Sequence, residues 1–150
     1  MLRITLASLH LLALALGLVA TVLRGSALRE TFTPSSLKRA LRLDAIWGIA
    51  AALWIVTGLW RLFGATEKPP IYYVENHWFM AKMACFLLIF LLEIGPMVTL
   101  MRARAALRQG LDAAAIVVPA ARRIALIGHL QATIALAMVF MAVAMARGFG

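Results

Sequence analysis

Four long apolar runs dominate the sequence and constrain its fold more than any other feature. They cover approximately residues 4–23, 43–63, 78–101 and 124–146. Each is close to the roughly 20 residues that a helix needs to cross about 30 Å of hydrocarbon. Backbone groups in lipid must be satisfied within their own segment, so such runs fold as helices. The sequence therefore predicts an all-α fold, a four-helix transmembrane bundle, with residues 1–150 forming a single integral membrane domain.

The charge distribution predicts how this bundle is oriented. The chain is 64% hydrophobic and carries a net charge of +9, which by itself would also suit a nucleic-acid-binding protein. However, ten of the fifteen basic residues lie in the two connections on one side of the bundle. They are Arg24, Arg29, Lys38, Arg39 and Arg42, and then Arg102, Arg104, Arg108, Arg122 and Arg123.

This asymmetry is the positive-inside pattern of membrane proteins. It predicts a multi-pass protein of the bacterial inner (cytoplasmic) membrane, with both basic loops in the cytoplasm and both termini outside (N-out/C-out). Basic loops at this position are expected to contact the anionic headgroups of the lipid bilayer. This placement accounts for the net charge, so no nucleic-acid partner is expected.

The first twenty residues also resemble a signal peptide, with Arg3 as the charged start. Three features favour a membrane span instead. The apolar run is longer than a usual signal core, the heavier positive charge follows it, and His10 interrupts it. We therefore expect this segment to be the first helix of the bundle.

Small residues at helical spacing indicate which faces pack inside the bundle. Close approach of helices in lipid depends on such residues, because apolar burial alone does not drive association there. The predicted inward faces are His10, Ala13, Gly17 and Thr21 on the first span, and Asp44, Gly48, Ala51, Ile55 and Gly58 on the second.

Several ionisable residues lie within the apolar runs and are functional candidates, because charge is costly in hydrocarbon unless it is paired or hydrated. Lys82 and Glu93 are eleven residues apart, about three helical turns, and so share one face of the third span. With the predicted orientation, His10 and Lys82 form an outer level, with His77 above them at the interface. Glu93 and His129 form an inner level, with Asp44 near the inner mouth.

Each candidate also has a structural interpretation. Lys82 is close enough to the outer surface to extend its amine to the headgroups. Glu93 could be protonated, or could hydrogen-bond His129 and hold two helices together. Asp44 has the residue type and position of a helix N-cap.

His10 is the strongest single candidate for a cofactor ligand. An inward histidine among small residues is either a helix–helix hydrogen bond or an axial ligand of haem. His10 and His129 differ in depth by roughly 10 Å, too far for one haem with two histidine ligands. His77 or a deprotonated Lys82 is better placed as second ligand, and an open iron position is the third alternative.

Three segments carry a resemblance to known families: "LHLLALALGLVATVLRG", "LRLDAIWGIAAALWIVTGLWRLFG" and "HWFMAKMACFLLIFLLEIGPM". Over nearly the whole chain they resemble a bacterial family of predicted membrane proteins, the domain of unknown function family 2214. More distantly, the chain is similar to the haem-b membrane protoporphyrinogen IX oxidases of the HemJ type and to copper-resistance D membrane proteins. The matching residues are His10, the pair Arg42-Leu43 and Lys82. The resemblance implies that His10 and Lys82 take part in haem binding and activity.

Two functional hypotheses follow. The first is a haem-b-binding redox protein, in one version an oxidase of a porphyrinogen or another membrane-soluble donor. His10 would be the metal ligand, with Lys82, His77 and His129 as further cofactor-binding candidates and Lys82 and Glu93 as catalytic candidates. A membrane electron carrier or a second copy of the chain would be its partner. The second hypothesis is a non-enzymatic transport or accessory subunit, in which the same residues line an ion path or lock the bundle.

Overall fold

In a computed structural model, which describes residues 1–29, 32–64 and 69–148, four long helices carry the fold. They are α1 (Leu2–Arg29), α2 (Pro34–Phe63), α4 (His77–Arg108) and α6 (Ala121–Ala146), and three short elements join them: α3 (Pro70–Glu75), α5 (Ala114–Val117) and a 3-10 helix (Val118–Ala120). Four helical segments are long and apolar enough to cross a membrane, the last running from Ala114 to Ala146. The predicted all-α, four-helix membrane fold is confirmed.

Local sequence signals explain where the helices begin and end. Thr33 caps α2 through its side chain, which accepts from the Ser36 amide at 3.0 Å, while the Ser36 hydroxyl accepts from the Thr33 amide. This reciprocal capping satisfies amides that have no partner inside the helix. After α4, Gly110 takes a φ of 70°, a left-handed conformation that ends the helix. A threonine followed by proline before a helix and a glycine after one are typical start and stop signals in a sequence.

The long helices alternate in direction, so the bundle has two distinct ends. We call the end with the α1–α2 and α4–α6 connections the basic end, and the end with both termini and α3 the terminal end. Short α3 is tied to the C-terminal part of α6, since the Tyr72 hydroxyl donates to the Met145 carbonyl oxygen at 3.2 Å. These two ends differ in chemistry, as described below.

Helix α1 packs closely against α6 because each presents a glycine to the other. A β-carbon added at Gly25 would lie 2.7 Å from the Ala125 Cα, and one added at Gly128 would lie 2.8 Å from the Thr21 carbonyl oxygen. Real side chains do not approach backbone atoms so closely, so these positions hold the two helices at a short distance. The inward face predicted for α1 is confirmed, with Ala13, Gly17 and Thr21 buried.

Helix α2 packs along α1 but meets α4 at few points. This side of the bundle is wide, and large side chains bridge it, as in the contact between the Trp54 and Phe86 rings, whose centroids are 5.3 Å apart. The predicted inward face of α2 is therefore partly wrong: Gly48 is exposed, whereas Ala50, Trp54 and Thr57 are buried. Small residues mark the face of a helix that packs closely on another helix. They do not predict the inward face of α2 correctly, because α2 is close to α1 but distant from α4.

Candidate functional site

The guanidinium group of Arg24 lies at the centre of a charge network near the basic end. Its side chain is fully buried, although the last turns of α1 were expected to be a basic loop. It pairs with Glu93 of α4 in bidentate fashion, Nη1 donating to Oε1 and Nη2 to Oε2, the latter at 2.9 Å. Paired bonds of this kind are among the strongest polar contacts in proteins. The Arg24 Nε has no hydrogen-bond partner among the described residues.

Asp44 of α2 joins Arg24 to a second cation. Its Oδ1 accepts from Arg24 Nη1 at 2.8 Å, and its Oδ2 accepts from Arg104 Nη2 of α4 at 2.7 Å. Arg104 also donates to the Leu41 carbonyl oxygen at 2.8 Å. The hypothesis that Asp44 is an N-cap is wrong, because α2 begins ten residues earlier at Pro34 and Thr33 caps it.

Helix α6 enters the network through Gln131, which is 1% exposed. Its amide Nε2 donates to Glu93 Oε2 at 2.9 Å and to the Ile89 carbonyl oxygen at 3.2 Å, and its Oε1 accepts from the Thr21 hydroxyl at 3.1 Å. All four long helices are thus connected. Two cations face two carboxylates, so the cluster is electrically balanced where unpaired charge would be costly.

The hydrogen bond between Glu93 and His129, one of the two structural interpretations of Glu93, is not formed. Glu93 is bound by Arg24 and Gln131, while His129 is exposed on α6. Two residues along a helix correspond to about 200° of rotation, so Gln131 and His129 face nearly opposite directions. The sequence alone does not single out Arg24, because a cation at the end of an apolar run is normally a loop residue. The available signal was that Arg24 lies three residues after inward-facing Thr21.

A second polar group surrounds His10 toward the terminal end. The His10 Nδ1 lies 2.9 Å from the Thr57 hydroxyl of α2. That hydroxyl donates to the carbonyl oxygens of Leu53 at 2.7 Å and Trp54 at 3.2 Å. A hydroxyl has one proton; when Thr57 directs that proton to the backbone of its own helix, the His10 Nδ1 is the donor to Thr57. The other ring nitrogen, Nε2, then carries the lone pair.

The surroundings of His10 combine aromatic rings and cations; we call this group the histidine site. The His10 ring lies 5.8 Å from the Trp54 ring, and a β-carbon added at Gly58 would lie 3.2 Å from its Cε1. Lys82 and Arg61 are near enough for their charges to act on the imidazole. His10 and Lys82 of the predicted outer level are thus within electrostatic range of each other. The Trp54 Nε1 is buried without a hydrogen-bond partner among the described residues.

His77 and His129 are both exposed, whereas His10 is half-buried. His77 is exposed at the first position of α4, where Asn76 supplies the cap by accepting from the Phe79 amide at 3.2 Å. His129 is exposed on α6 and engages Thr133 through its backbone oxygen at 3.0 Å. Among the described residues, no hydrogen bond or ring contact joins either imidazole to His10.

An apolar layer separates the charge network from the histidine site. It is built from Ala13, Ile89, Ala135 and Met138, together with the Trp54 ring that also contacts His10, and all five are at most 6% exposed. The cavity in this region has a volume of about 10 Å³ and walls of almost wholly apolar atoms. A cavity at the lower limit for one water molecule, with apolar walls, stays dry. This cavity therefore provides no hydrated path between the two polar groups.

The residues around His10 fit a haem in donor chemistry, whereas the packed interior does not offer the space. Ligand pockets usually measure about 300–1,000 Å³, far more than the cavity of about 10 Å³ between the helices. A macrocycle near His10 would therefore need the Trp54 and Phe86 rings, which bridge α2 and α4, to move apart. Over residues 1–29, 32–64 and 69–148, no cluster of three or more His, Cys, Asp or Glu side chains could hold a bare metal ion.

The chain matches the model of the family described as "Predicted membrane protein (DUF2214)" over residues 2–150. No curated protein and no solved structure matches the chain.

Proposed function

This chain belongs to the DUF2214 family of predicted membrane proteins, and on that premise we propose that it is a haem-b-binding redox protein of the bacterial inner membrane. His10 is the axial ligand in this proposal. The basic end faces the cytoplasm, following the charge asymmetry of the connections, and the histidine site then lies in the outer half of the bundle.

The orientation of His10 is the observation that carries the proposal. A histidine that binds a metal usually donates its other ring nitrogen to an oxygen acceptor, which fixes its tautomer and ring direction. The Thr57 hydroxyl, 2.9 Å from Nδ1, plays this part. It is itself held by the Leu53 carbonyl oxygen, so Nε2 is left with the lone pair that iron coordination requires.

The cations beside His10 suit the carboxylate groups of a haem. Lys82 and Arg61 act electrostatically on this region, and both lie on the helices that flank the wide side of the bundle, α4 and α2. Carboxylates of a bound group would be stabilised by these cations. Haem, when bound, would supply one-electron chemistry, and a membrane-soluble donor or electron carrier would be its redox partner.

Glu93 has a different role in this proposal from the catalytic one that its sequence position suggested. Its carboxylate is engaged by Arg24 and Gln131 in the charge network, and a dry apolar layer separates that network from His10. We assign Glu93 to holding the bundle together. Lys82 remains the candidate that could contact a substrate or a second position on the iron.

The test is an absorption spectrum of the protein, expressed with added haem precursor, purified in mild detergent and recorded before and after dithionite reduction. We expect a Soret band and a sharp α band in the reduced protein. His10→Ala should abolish both, while His129→Ala, which removes an exposed imidazole, should keep them. A featureless spectrum of the wild-type protein overturns the proposal, as does equal haem content in the two variants.

A second candidate function is a non-catalytic accessory subunit of a membrane complex. The charge network favours this function, because it connects all four long helices. Its carboxylates are also poorly accessible to a substrate, since the side chains of Asp44 and Glu93 are only 11% and 14% exposed. The dry layer favours a structural subunit over an ion conductor. Absence of any chromophore, together with co-purification of a defined membrane partner, would select this function.

A further inference from the structure

A groove at the start of α2 combines basic and apolar walls. It has a volume of about 370 Å³ and is lined by Ser35, Lys38, Arg39, Arg42, Leu43 and Ile46. Ser35, Lys38, Arg42 and Ile46 follow one another at steps of three, four and four, so they form one stripe along the helix. The basic part lies at the beginning of α2, and the apolar part continues into its long hydrophobic segment.

The groove keeps its positive charge because the acidic residue of α2 is used elsewhere. Asp44 is the one acid in the sequence of α2, and both of its carboxylate oxygens are bound, one by Arg24 and the other by Arg104. These contacts turn the carboxylate inward, away from the exposed side chains of Lys38 and Arg42. The network that balances the interior thus leaves the surface groove cationic.

We propose that this groove binds one anionic phospholipid of the surrounding bilayer, with its phosphate between Lys38 and Arg42 and its acyl chain along Leu43 and Ile46. A ligand for this surface needs a negative head and an apolar tail in that order along the helix. A bilayer phospholipid has this order, and basic pockets beside membrane helices recognise such headgroups. The site is distinct from the histidine site, which lies toward the terminal end, and it does not depend on haem binding.

Native mass spectrometry of the full chain in detergent, titrated with phosphatidylglycerol or phosphatidylcholine, tests this site. We expect retention of one phosphatidylglycerol and weak retention of phosphatidylcholine. Lys38→Gln with Arg42→Gln should lower phosphatidylglycerol affinity roughly 10- to 30-fold, since each basic side chain near an anionic lipid contributes about a five-fold effect. The matched control is Arg102→Gln with Arg108→Gln, which removes the same charge from exposed positions of α4 and should leave the affinity unchanged.

Three results would overturn the proposal. Equal losses in the two double variants would mean that net charge alone attracts the lipid. Equal retention of the two lipids would mean that the groove does not recognise the headgroup charge. Competition by inorganic phosphate as effective as that by phosphatidylglycerol would mean that the site takes a free anion and that the apolar wall contributes nothing.

Discussion

The two polar groups of this bundle are built on opposite principles. In the charge network, the cations and carboxylates satisfy one another: Arg24 binds two carboxylates, Asp44 binds two cations, and the Arg24 Nε is the one buried polar atom without a partner among the described residues of the network. In the histidine site, donors and cations gather around an imidazole with one ring nitrogen anchored, and the buried Trp54 Nε1 has no partner among the described residues. A self-satisfied cluster stabilises a fold, whereas a cluster with unused hydrogen-bonding capacity suits a ligand.

Removing Arg24, the central cation of the charge network, should have the largest effect on stability. Arg24→Met leaves Glu93 and Asp44 short of positive charge inside the bundle, and breaking a buried ion pair in this way costs about 3–5 kcal/mol. We expect a loss of that size in the free energy of unfolding, measured by titration with a denaturing detergent. Arg29→Met, at an exposed position in the last turn of the same helix, should change it by less than about 0.5 kcal/mol.

The paired variant Arg24→Met with Glu93→Met sharpens this test. Replacing both partners by apolar side chains leaves neither of them as an unpaired charge, so part of the lost stability should return. If the single variant at Arg24 is as stable as the one at Arg29, the network does not hold the bundle together.

The close contact between α1 and α6 should respond to a single methyl group. Gly25→Ala places a β-carbon 2.7 Å from the Ala125 Cα, and such overpacking costs about 1–3 kcal/mol. Gly48→Ala is the matched control, because nothing lies within 4 Å of its added β-carbon. Detergent-induced unfolding should separate the two variants, and equal curves would contradict the described helix approach.

Thr57→Val should weaken the histidine site without loosening the fold by much. The hydroxyl that accepts from His10 Nδ1 is lost while the side-chain shape is kept. Loss of such an orienting partner typically lowers metal affinity 10- to 100-fold. We therefore expect haem titrations to give a dissociation constant that is larger by this factor. Thr99→Val removes a hydroxyl that bonds only its own helix, at the Gly95 oxygen, and should bind haem as the wild type does.

The smallest effect is expected at His129. Its side chain is exposed and contributes no described hydrogen bond, so His129→Ala should alter the free energy of unfolding by less than about 0.5 kcal/mol. A large loss of stability in the same detergent titration would contradict this expectation, because it would mean that the His129 side chain packs against another part of the protein.

Sequence alone predicts the architecture well, because the number of spans depends only on the length of the apolar runs and not on the exact position of each side chain. Hydrophobic length determines the spans, and capping residues such as Thr33 and Gly110 determine their ends. It predicts the network poorly, because the identity of a partner depends on rotation about each helix axis. Gln131 and His129 are two residues apart, yet the first is buried against Glu93 and the second is exposed. Apolar periodicity cannot separate them where nearly every neighbour is apolar.

His10 illustrates the intermediate case. Its inward position follows from the spacing to Ala13 and Gly17, and the structure agrees. Its partner Thr57 could not be predicted, because the small-residue pattern placed Gly48 on the inward face of α2, whereas Gly48 is exposed. Because α2 and α4 are far apart, Trp54 and Thr57 are the residues of α2 that turn inward and are buried. The distance between these helices depends on the packing of the whole bundle.

The most direct test of the separation between the two groups is a haem titration, followed at the Soret band, of His10→Ala and Glu93→Gln beside the wild-type protein. We expect Glu93→Gln to bind haem with wild-type affinity, since an apolar layer separates its site from His10, and we expect His10→Ala to lose the band. Retention of haem by His10→Ala together with its loss in Glu93→Gln would contradict the account, because the ligand site would then lie at the charge network.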